Sequence, residues 1–548
     1  MNLVKTYISD LKNEFEGYNG QKFSKDLMAG ITVAAVALPL ALAFGVSSGA
    51  TAAAGLVTAI IGGIVISILS GASFQISGPT GAMSAILITL AAQYGIQGIL
   101  IACFLAGAIL VAAGVLKLGR IIYLIPSSVI TGFTSGIAVI IALGQLDNFF
   151  GVKSEGELAI AKVASYFTQG FDPNWQAVAI GAAVIALMLI WPKKLNEKLP
   201  SSLASIIIVL IVCHFLQPDV EVVGDIPKSL FLEDRLSIAG LNLEQFWDLV
   251  VPALSIAALG MIESLLCGAS ASKMKKENFN ADRELIAQGV GNMVIPLFGG
   301  VPATAAIART SVVIKAGSET RLAGIIHAVI LLLSMFVLAP VMSAIPLSAL
   351  AGILIVTAWR MNDWDNIKFI FSHKFKSGIT KFAITMVATV FLDLTQAIII
   401  GVALSAFLIL VKLTDIEINI SEIDKDRLED VGISLEKVSK KVKVVYLTGA
   451  IFFAVTNKIA SKLKEEEGVT EGLILSMRGV PMIDLSGIQA LTELVQDLEA
   501  NGTEVYLTSV QPKVLEKMRQ GGLIDLIGEK YVFQSAEQAI LIAQKEHM

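Results

Sequence analysis

The chain has 548 residues, of which 55% are hydrophobic and only 16% charged, with a formal net charge of −5. Soluble domains carry roughly 25% charged residues, so most of this chain is expected to lie in lipid, and its acidic balance argues against a nucleic-acid partner. The three cysteines, Cys103, Cys213 and Cys267, have no metal-ligand spacing and are too few for a disulfide framework. They read as free thiols within apolar helices. No metal or cofactor is expected, and no Walker motif or dinucleotide fingerprint marks an enzyme.

A charged, mixed segment at 1–25 opens the chain and is no secretory signal, so insertion is expected to use the first span itself. Apolar segments follow at 26–47, 52–70, 76–92, 96–116, 121–147, 174–192, 200–216, 249–268, 282–298, 301–317, 322–342, 345–359, 380–394 and 396–413, fourteen in all. Several are too short to cross a bilayer as straight helices, and those at 76–92 and 301–317 begin in polar sequence containing Gly and Pro. The spacing predicts a transmembrane domain over 26–413, a linker at 414–438 and a separate domain at 439–548.

Basic residues gather at one set of segment ends: Lys22 and Lys25; Lys117 and Arg120; Lys193, Lys194 and Lys198; Lys273, Lys275 and Lys276; Lys374, Lys376 and Lys381. All precede the first span or follow even-numbered ones. The loop at 217–248 follows an odd span and is acidic, with Asp219, Glu221, Asp225, Glu233 and Asp234. By the positive-inside rule both termini face the cytoplasm of a bacterial inner membrane, as an even span number requires.

An internal repeat is visible. Ile125-Pro126-Ser127-Ser128 with Gly132 recurs 220 residues later as Ile345-Pro346-Leu347-Ser348 with Gly352. Ser77-Gly78-Pro79-Thr80-Gly81-Ala82 falls opposite Val301-Pro302-Ala303-Thr304-Ala305-Ala306 at an offset of 224. These offsets equate spans 3 and 5 with spans 10 and 12, so each repeat holds seven spans. Seven is odd, so the second repeat runs through the membrane inverted, a signature of secondary transporters whose site lies where the repeats meet.

An anion at the midplane needs replacements for its lost water. A helix N-terminus supplies free N–H groups and a partial positive charge, and spans 3 and 10 offer two such ends. Pro79 and Pro302 suit a first helical turn, Gly78 and Gly300 let the backbone turn and a ligand approach, and Thr80 and Thr304 add hydroxyl donors. Arg309, inside span 10, is costly in lipid and could attract the anion or pair with an acid. Glu263, in the middle of span 8, is the coupling candidate. In a dry site it could bind and release a proton near neutral pH, or hold Na⁺ when deprotonated; the blander alternative is a structural partner for Arg309. Asp393, near the end of span 13, reads as interfacial. Gln288 and Asn292, four apart on one face of span 9, read as bridges between helices. The four histidines form no cluster and receive no role.

In the tail, 441–447, 472–478 and 504–508 alternate like strands, with helical patterns at 487–500, 511–520 and 535–545. Alternating strand and helix implies a small α/β domain. Between strand and helix stands Asp484-Leu485-Ser486-Gly487, where Ser486 reads as an ordinary N-cap.

These motifs together resemble the sulfate permease (SulP) family of anion transporters over nearly the whole chain. The resemblance rests on Ala29-Gly30-Ile31-Thr32-Val33 leading into Pro39, on Ser77-Gly78-Pro79-Thr80, on Gly289-Val290-Gly291-Asn292 with Phe298-Gly299-Gly300, and on Ala303-Thr304 followed by Arg309-Thr310. The tail resembles the STAS domain that such permeases share with anti-sigma-factor antagonists. The resemblance implies a homodimer, with a core of spans 1–4 and 8–11 moving like an elevator against a gate of the remaining spans. It also implies an anion held between spans 1, 3, 8 and 10. Phe44 and Thr80 would line that pocket, with the backbone of Ala306, Ile307 and Ala308 beneath the anion; Ser77, Gly78, Thr304 and Arg309 complete the substrate set. Glu263 falls where proton-coupled members carry glutamate and sodium-coupled bicarbonate members aspartate, and Ser486 falls where the antagonists are phosphorylated. Three departures matter. Leu40 stands where animal members often carry glutamine, Cys267 where sodium-dependent members use threonine, and Leu485 replaces the first serine of the antagonists' Asp-Ser-Ser-Gly.

The expected function is proton-coupled symport of a small anion such as sulfate, bicarbonate or a C4-dicarboxylate, with a cytoplasmic protein partner at the STAS domain. The alternatives are Na⁺-coupled bicarbonate uptake or anion exchange, and, from another class, a membrane sensor signalling through the tail.

Overall fold

Hydropathy decides the first helices. Runs of Ala, Val, Ile, Leu and Gly leave no polar side chain to compete for backbone hydrogen bonds, and in lipid the backbone must satisfy itself. In the computed structural model the described residues are 3–120, 126–155, 159–196, 199–237, 247–392, 394–430, 439–465 and 470–547. They fall into two compact units, Met1–Ser405 and Ala406–Met548. Ile125 of the repeat motif, Asp393 and positions 431–438 of the expected linker lie outside the described residues.

The principal helices of the first unit are α1 (Leu3–Glu14), α2 (Gly20–Ser47), α3 (Ala52–Leu69), α4 (Gly81–Val115), α5 (Ser127–Gly144), α6 (Trp175–Ile190), α7 (Ser201–Leu216), α8 (Val250–Lys275), α9 (Ala281–Val294), α10 (Ile307–Lys315), α11 (Leu322–Val337), α12 (Leu347–Met361) and α13 (Lys376–Phe391). The next, α14 (Leu394–Leu413), runs across the boundary between the units. Every apolar segment of the sequence carries one of these helices. Among the described residues, α2, α3, α4, α8 and the stretch Ser127–Phe150 are each long and apolar enough to cross a membrane.

At 35 residues α4 would be about 52 Å long if straight, well beyond a ~30 Å hydrocarbon core. Gly95 breaks it, with φ 66° and ψ −170°, a conformation open essentially to glycine alone. The break separates spans 3 and 4, and the piece from Gly81 to the break is about 21 Å long, roughly two thirds of that core. α10 has only nine residues, about half a span.

The repeat reappears in the packing. Pro126 and Pro346 occupy matching N-cap positions, with φ/ψ of −64°/145° and −62°/136°. A Cβ at Gly132 would stand 2.5 Å from the Phe382 carbonyl oxygen of α13, and one at Gly352 would stand 2.8 Å from the Gly181 carbonyl oxygen of α6. Span 5 thus meets span 13 as its repeat mate, span 12, meets span 6, the repeat mate of span 13.

The segment before α2, expected only to be charged, is helical and tied down. Glu14 pairs with Arg321 at 2.7 Å, and the Tyr7 hydroxyl donates to the Ile68 carbonyl at 2.6 Å. Asp26, fully buried, accepts from the Glu319 N–H (2.7 Å), the Thr320 N–H (3.1 Å), the Thr320 hydroxyl (2.6 Å) and the Tyr18 hydroxyl (2.9 Å). Burial first, and the Asp26 carboxylate second, push the Tyr18 hydroxyl up to about 12, so this donor keeps its proton throughout the physiological range. Asp26→Ala strands these donors and is expected to cost about 3 kcal/mol, read as a lowered Tm in detergent. An unchanged Tm would mean that water replaces the carboxylate.

The second unit is the expected α/β domain. Among the described residues its sheet has the order β3 (Glu417–Glu422), β4 (Val442–Thr448), β5 (Gly472–Gly479), β6 (Glu504–Thr508), β7 (Val532–Phe533). β4 to β7 are parallel, and β3 joins antiparallel with Glu417 opposite Thr448. Its helices include α15 (Thr456–Lys464), α16 (Leu485–Ala500), α17 (Pro512–Gln520) and α18 (Ala536–Glu546). Two features differ from expectation. The stretch read as a linker opens with the edge strand β3. The N-cap of α16 is Asp484, whose carboxylate accepts from the Gly487 N–H at 2.7 Å, so Ser486 lies inside the first turn instead of capping it.

Candidate functional site

Two short strands organise the site. β1 (Ser77–Gly78) pairs antiparallel with β2 (Thr304–Ala305), Ser77 opposite Ala305 and Gly78 opposite Thr304. Continued by one residue, this register sets Pro79 opposite Ala303, residues 224 apart, which is the offset of the sequence repeat. The pairing therefore has the register that a local twofold between the repeats requires. Beyond the strands the chain enters α4 after its N-cap Thr80, and α10 after its N-cap Ala306. Pro79 and Pro302 both precede the caps, so neither sits in a first helical turn as expected. Strand pairing needs extended backbone here, and a residue before proline is pushed away from the helical region.

The threonines that follow the two motifs converge. The Thr80 hydroxyl donates to Glu263 Oε2 at 2.9 Å, the Thr304 hydroxyl donates to the same oxygen at 2.6 Å, and the two hydroxyl oxygens are 3.2 Å apart. Equivalent residues of the two repeats thus hold one carboxylate from α8. Arg309 is buried, and its Nη2 donates to the Pro79 carbonyl. A Cβ at Gly78 would stand 2.5 Å from Arg309 Nη1, so only glycine leaves room for the guanidinium. Glu263 and Arg309 are not joined as an ion pair among the described contacts, unlike the structural pairing weighed above.

The first helical bond of α10 runs from the Thr310 N–H to the Ala306 carbonyl at 2.9 Å. The N–H groups of Ile307, Ala308 and Arg309 therefore have no partner within the helix. Ile307 is 50% exposed and Ala308 is also exposed, so this positive helix end is open. Phe44 lies at the start of α4: its Cε1 is 3.0 Å from where a Gly81 Cβ would be. Ser77 joins the cluster through its backbone, while its buried hydroxyl accepts from Gln288 Nε2 at 2.7 Å. A cavity of about 200 Å³ lies close by, its lining including Ser47, Ser84, Ile141, Ser255 and Val390. Ser84 is one turn beyond Thr80 along α4.

The bridges read on span 9 are present, and two neighbours of the site residues, Ser264 and Thr310, add scaffold contacts that carried no signal of their own. Asn292 clamps Ala303, donating to its carbonyl at 2.9 Å and accepting from its N–H at 2.8 Å; with Gln288 it forms the bridges expected of span 9. The Ser264 hydroxyl accepts from the Ala305 N–H at 3.2 Å, and the Thr310 hydroxyl from the Ile76 N–H at 3.1 Å. Each adjoins a residue already singled out, Glu263 or Arg309, which is the one hint the sequence offers. Cys267 Sγ lies 3.4 Å from the Thr310 hydroxyl. Among the described residues no group of three or more His, Cys, Asp or Glu is arranged to hold a metal.

The sulfate permease family matches residues 23–385, and the STAS domain matches residues 435–539. YvdB of Bacillus subtilis (strain 168), which carries a sulfate-transporter name, is 35% identical over 96% of this chain and 98% of its own length. The bicarbonate transporter BicA of Picosynechococcus sp. (strain ATCC 27264 / PCC 7002 / PR-6) is 27% identical over 94% of each chain. The solved murine Slc26a9 anion transporter shares the fold, with a TM-score of 0.83 over 95% of this chain and 91% of that one at 18% identity. The chain belongs to the sulfate permease family of membrane anion transporters and carries a C-terminal STAS domain.

Proposed function

We propose that this protein carries a small anion across a bacterial inner membrane together with a proton, working as a homodimer with both termini in the cytoplasm. The observation that carries the reading is Glu263, held by Thr80 and Thr304 where the two repeats meet, beside the buried Arg309 and not paired with it. The anion would sit at the open N-terminus of α10, on the N–H groups of Ile307, Ala308 and Arg309, with Phe44 and Gly78 beside it. Two negative charges about 5 Å apart at an effective dielectric near 20 repel by about 3 kcal/mol, roughly a hundredfold in affinity. Protonating Glu263 removes that repulsion, so anion and proton bind together and leave together. Elevator-like movement of spans 1–4 and 8–11 is supported by the cavity near Thr80, which is lined by both sets of spans.

The substrate class is sulfate, bicarbonate or a C4-dicarboxylate. A second reading, Na⁺-coupled bicarbonate uptake or exchange, is favoured by the BicA relative. A sensor role through the STAS domain rests on Ser486 in the first turn of α16, where a phosphate would meet the positive helix end and could alter a cytoplasmic partner's binding. The test is uptake of labelled sulfate, bicarbonate and fumarate into proteoliposomes under an imposed inward proton gradient or an imposed inward sodium gradient. Proton-driven accumulation of one of them is expected. Accumulation under sodium alone would favour the second reading, and no flux at all the sensor.

A further inference from the structure

Among the buried polar side chains of the first unit with atoms that complete no hydrogen bond to the described residues, three lie on or beside one stripe of α3. The stripe is Ala59, Gly63 and Ser67, each four residues beyond the last. Beside Ala59 lies Arg309: the position of a Cβ at Gly78 is 2.5 Å from Arg309 Nη1 and 3.5 Å from the Ala59 Cα. That Nη1 completes no hydrogen bond among the described residues. Beside Gly63 lies His327 of α11, whose Nδ1 is 3.6 Å from where a Gly63 Cβ would be. His327 is 0% exposed. Neither of its ring nitrogens completes a hydrogen bond of good geometry among the described residues, and the one polar group that acts on the ring as a weak hydrogen-bond partner is the backbone of Gly324, one turn earlier on α11. At the third position the Ser67 hydroxyl, also buried and without a partner, lies 2.4 Å from where a Gly324 Cβ would be.

Buried polar groups in folded proteins are satisfied by protein or by ordered water. Residues four apart on a helix are separated by about 6 Å, close to the span of two hydrogen bonds made through one water. Arg309 Nη1 can only donate, neutral imidazole donates at one nitrogen and accepts at the other, and a hydroxyl does both. Donors and acceptors therefore match in order along the stripe. Its far end is fixed, since the carbonyls of Ser67, Ile68 and Ser70 accept from Arg321 Nη1 at 3.5, 2.8 and 3.4 Å.

We propose that ordered water along this stripe connects Arg309 Nη1 through His327 to Ser67, and that His327 is thereby a positioning residue for Arg309. Nη2 is held by the Pro79 carbonyl. The water at Nη1 fixes the second edge of the guanidinium, so its plane keeps one orientation toward the N-terminus of α10. The transport consequence rests on the anion-binding role proposed for Arg309, whereas the water itself does not.

Two measurements on the full-length protein test this. A structure of the wild type near 2 Å resolution is expected to contain a water within hydrogen-bond distance of His327, in a file that reaches Arg309 Nη1; contact with protein atoms alone at both groups would overturn the proposal. In proteoliposomes, with labelled sulfate, bicarbonate and fumarate as the probes, His327→Leu is expected to raise KM about tenfold with little change in Vmax or Tm. His327→Gln, which keeps a donor and an acceptor, is expected to stay within about threefold of the wild type. Leu and Gln variants with the same KM would overturn the positioning role. Absence of uptake in the wild type would count against the proposed function alone, leaving the water to be decided by the structure.

Discussion

Glu263→Gln is expected to abolish proton-driven accumulation, lowering it by at least a hundredfold, while the protein stays folded and still binds its anion. Glutamine is nearly isosteric with the protonated carboxyl, and its carbonyl oxygen can accept from the hydroxyls of Thr80 and Thr304, which lie 2.9 and 2.6 Å from Glu263 Oε2. The variant mimics the proton-loaded state permanently, so anion affinity should match or exceed that of the wild type at high pH. The check is a pair of measurements: accumulation under an imposed proton gradient, and anion-dependent thermal stabilisation of the purified protein across pH. A variant that accumulates normally would remove Glu263 from coupling. One that no longer binds would make the carboxylate part of the scaffold.

Arg309→Ala is expected to weaken anion binding on the order of a hundredfold, consistent with the 2–5 kcal/mol range for losing one partner of a buried charged contact. Arg309→Lys should recover only part of this, because an ammonium cannot hold the Pro79 carbonyl through one nitrogen and present a second in the same plane. The loss should appear in KM more than in Vmax. The Ala variant should also lose stability, since the Pro79 carbonyl loses its buried donor, so Tm must be read beside KM. Equal KM values for wild type and Ala would show that the helix end alone holds the anion.

The parts legible in the sequence were those governed by local pattern. Each apolar run carries a helix, and alternation located β4, β5 and β6 within a residue or two, because one face of a strand packs on the core while the other is freer to vary. The convergence of Thr80, Thr304 and Glu263 was partly legible, since the repeat offset pairs the threonines, though nothing in the offset says that their hydroxyls meet on one carboxylate.

What stayed hidden depends on partners distant in sequence. Residues 301–306 read as the start of a helix because Pro302 suits a first turn, yet pairing with residues near 77 holds them extended. β3 looked like linker because its partner β4 begins some twenty residues later and its own burial is slight. α1 looked like a plain charged leader, since Glu14 finds Arg321 and Asp10 finds Arg283 only in the folded chain. Ser486 reads as the cap, yet Asp484, two residues earlier and of an equally good capping type, takes that place in the fold.

In the proposed mechanism proton and anion cross together through Glu263. The most direct measurement follows both at once: labelled anion uptake into proteoliposomes loaded with a pH-sensitive dye, in sodium-free buffer, for wild type and Glu263→Gln. Lumenal acidification is expected to rise in proportion to anion uptake in the wild type and to disappear in the variant. Anion uptake without acidification in the wild type, or equal acidification in the variant, would contradict it.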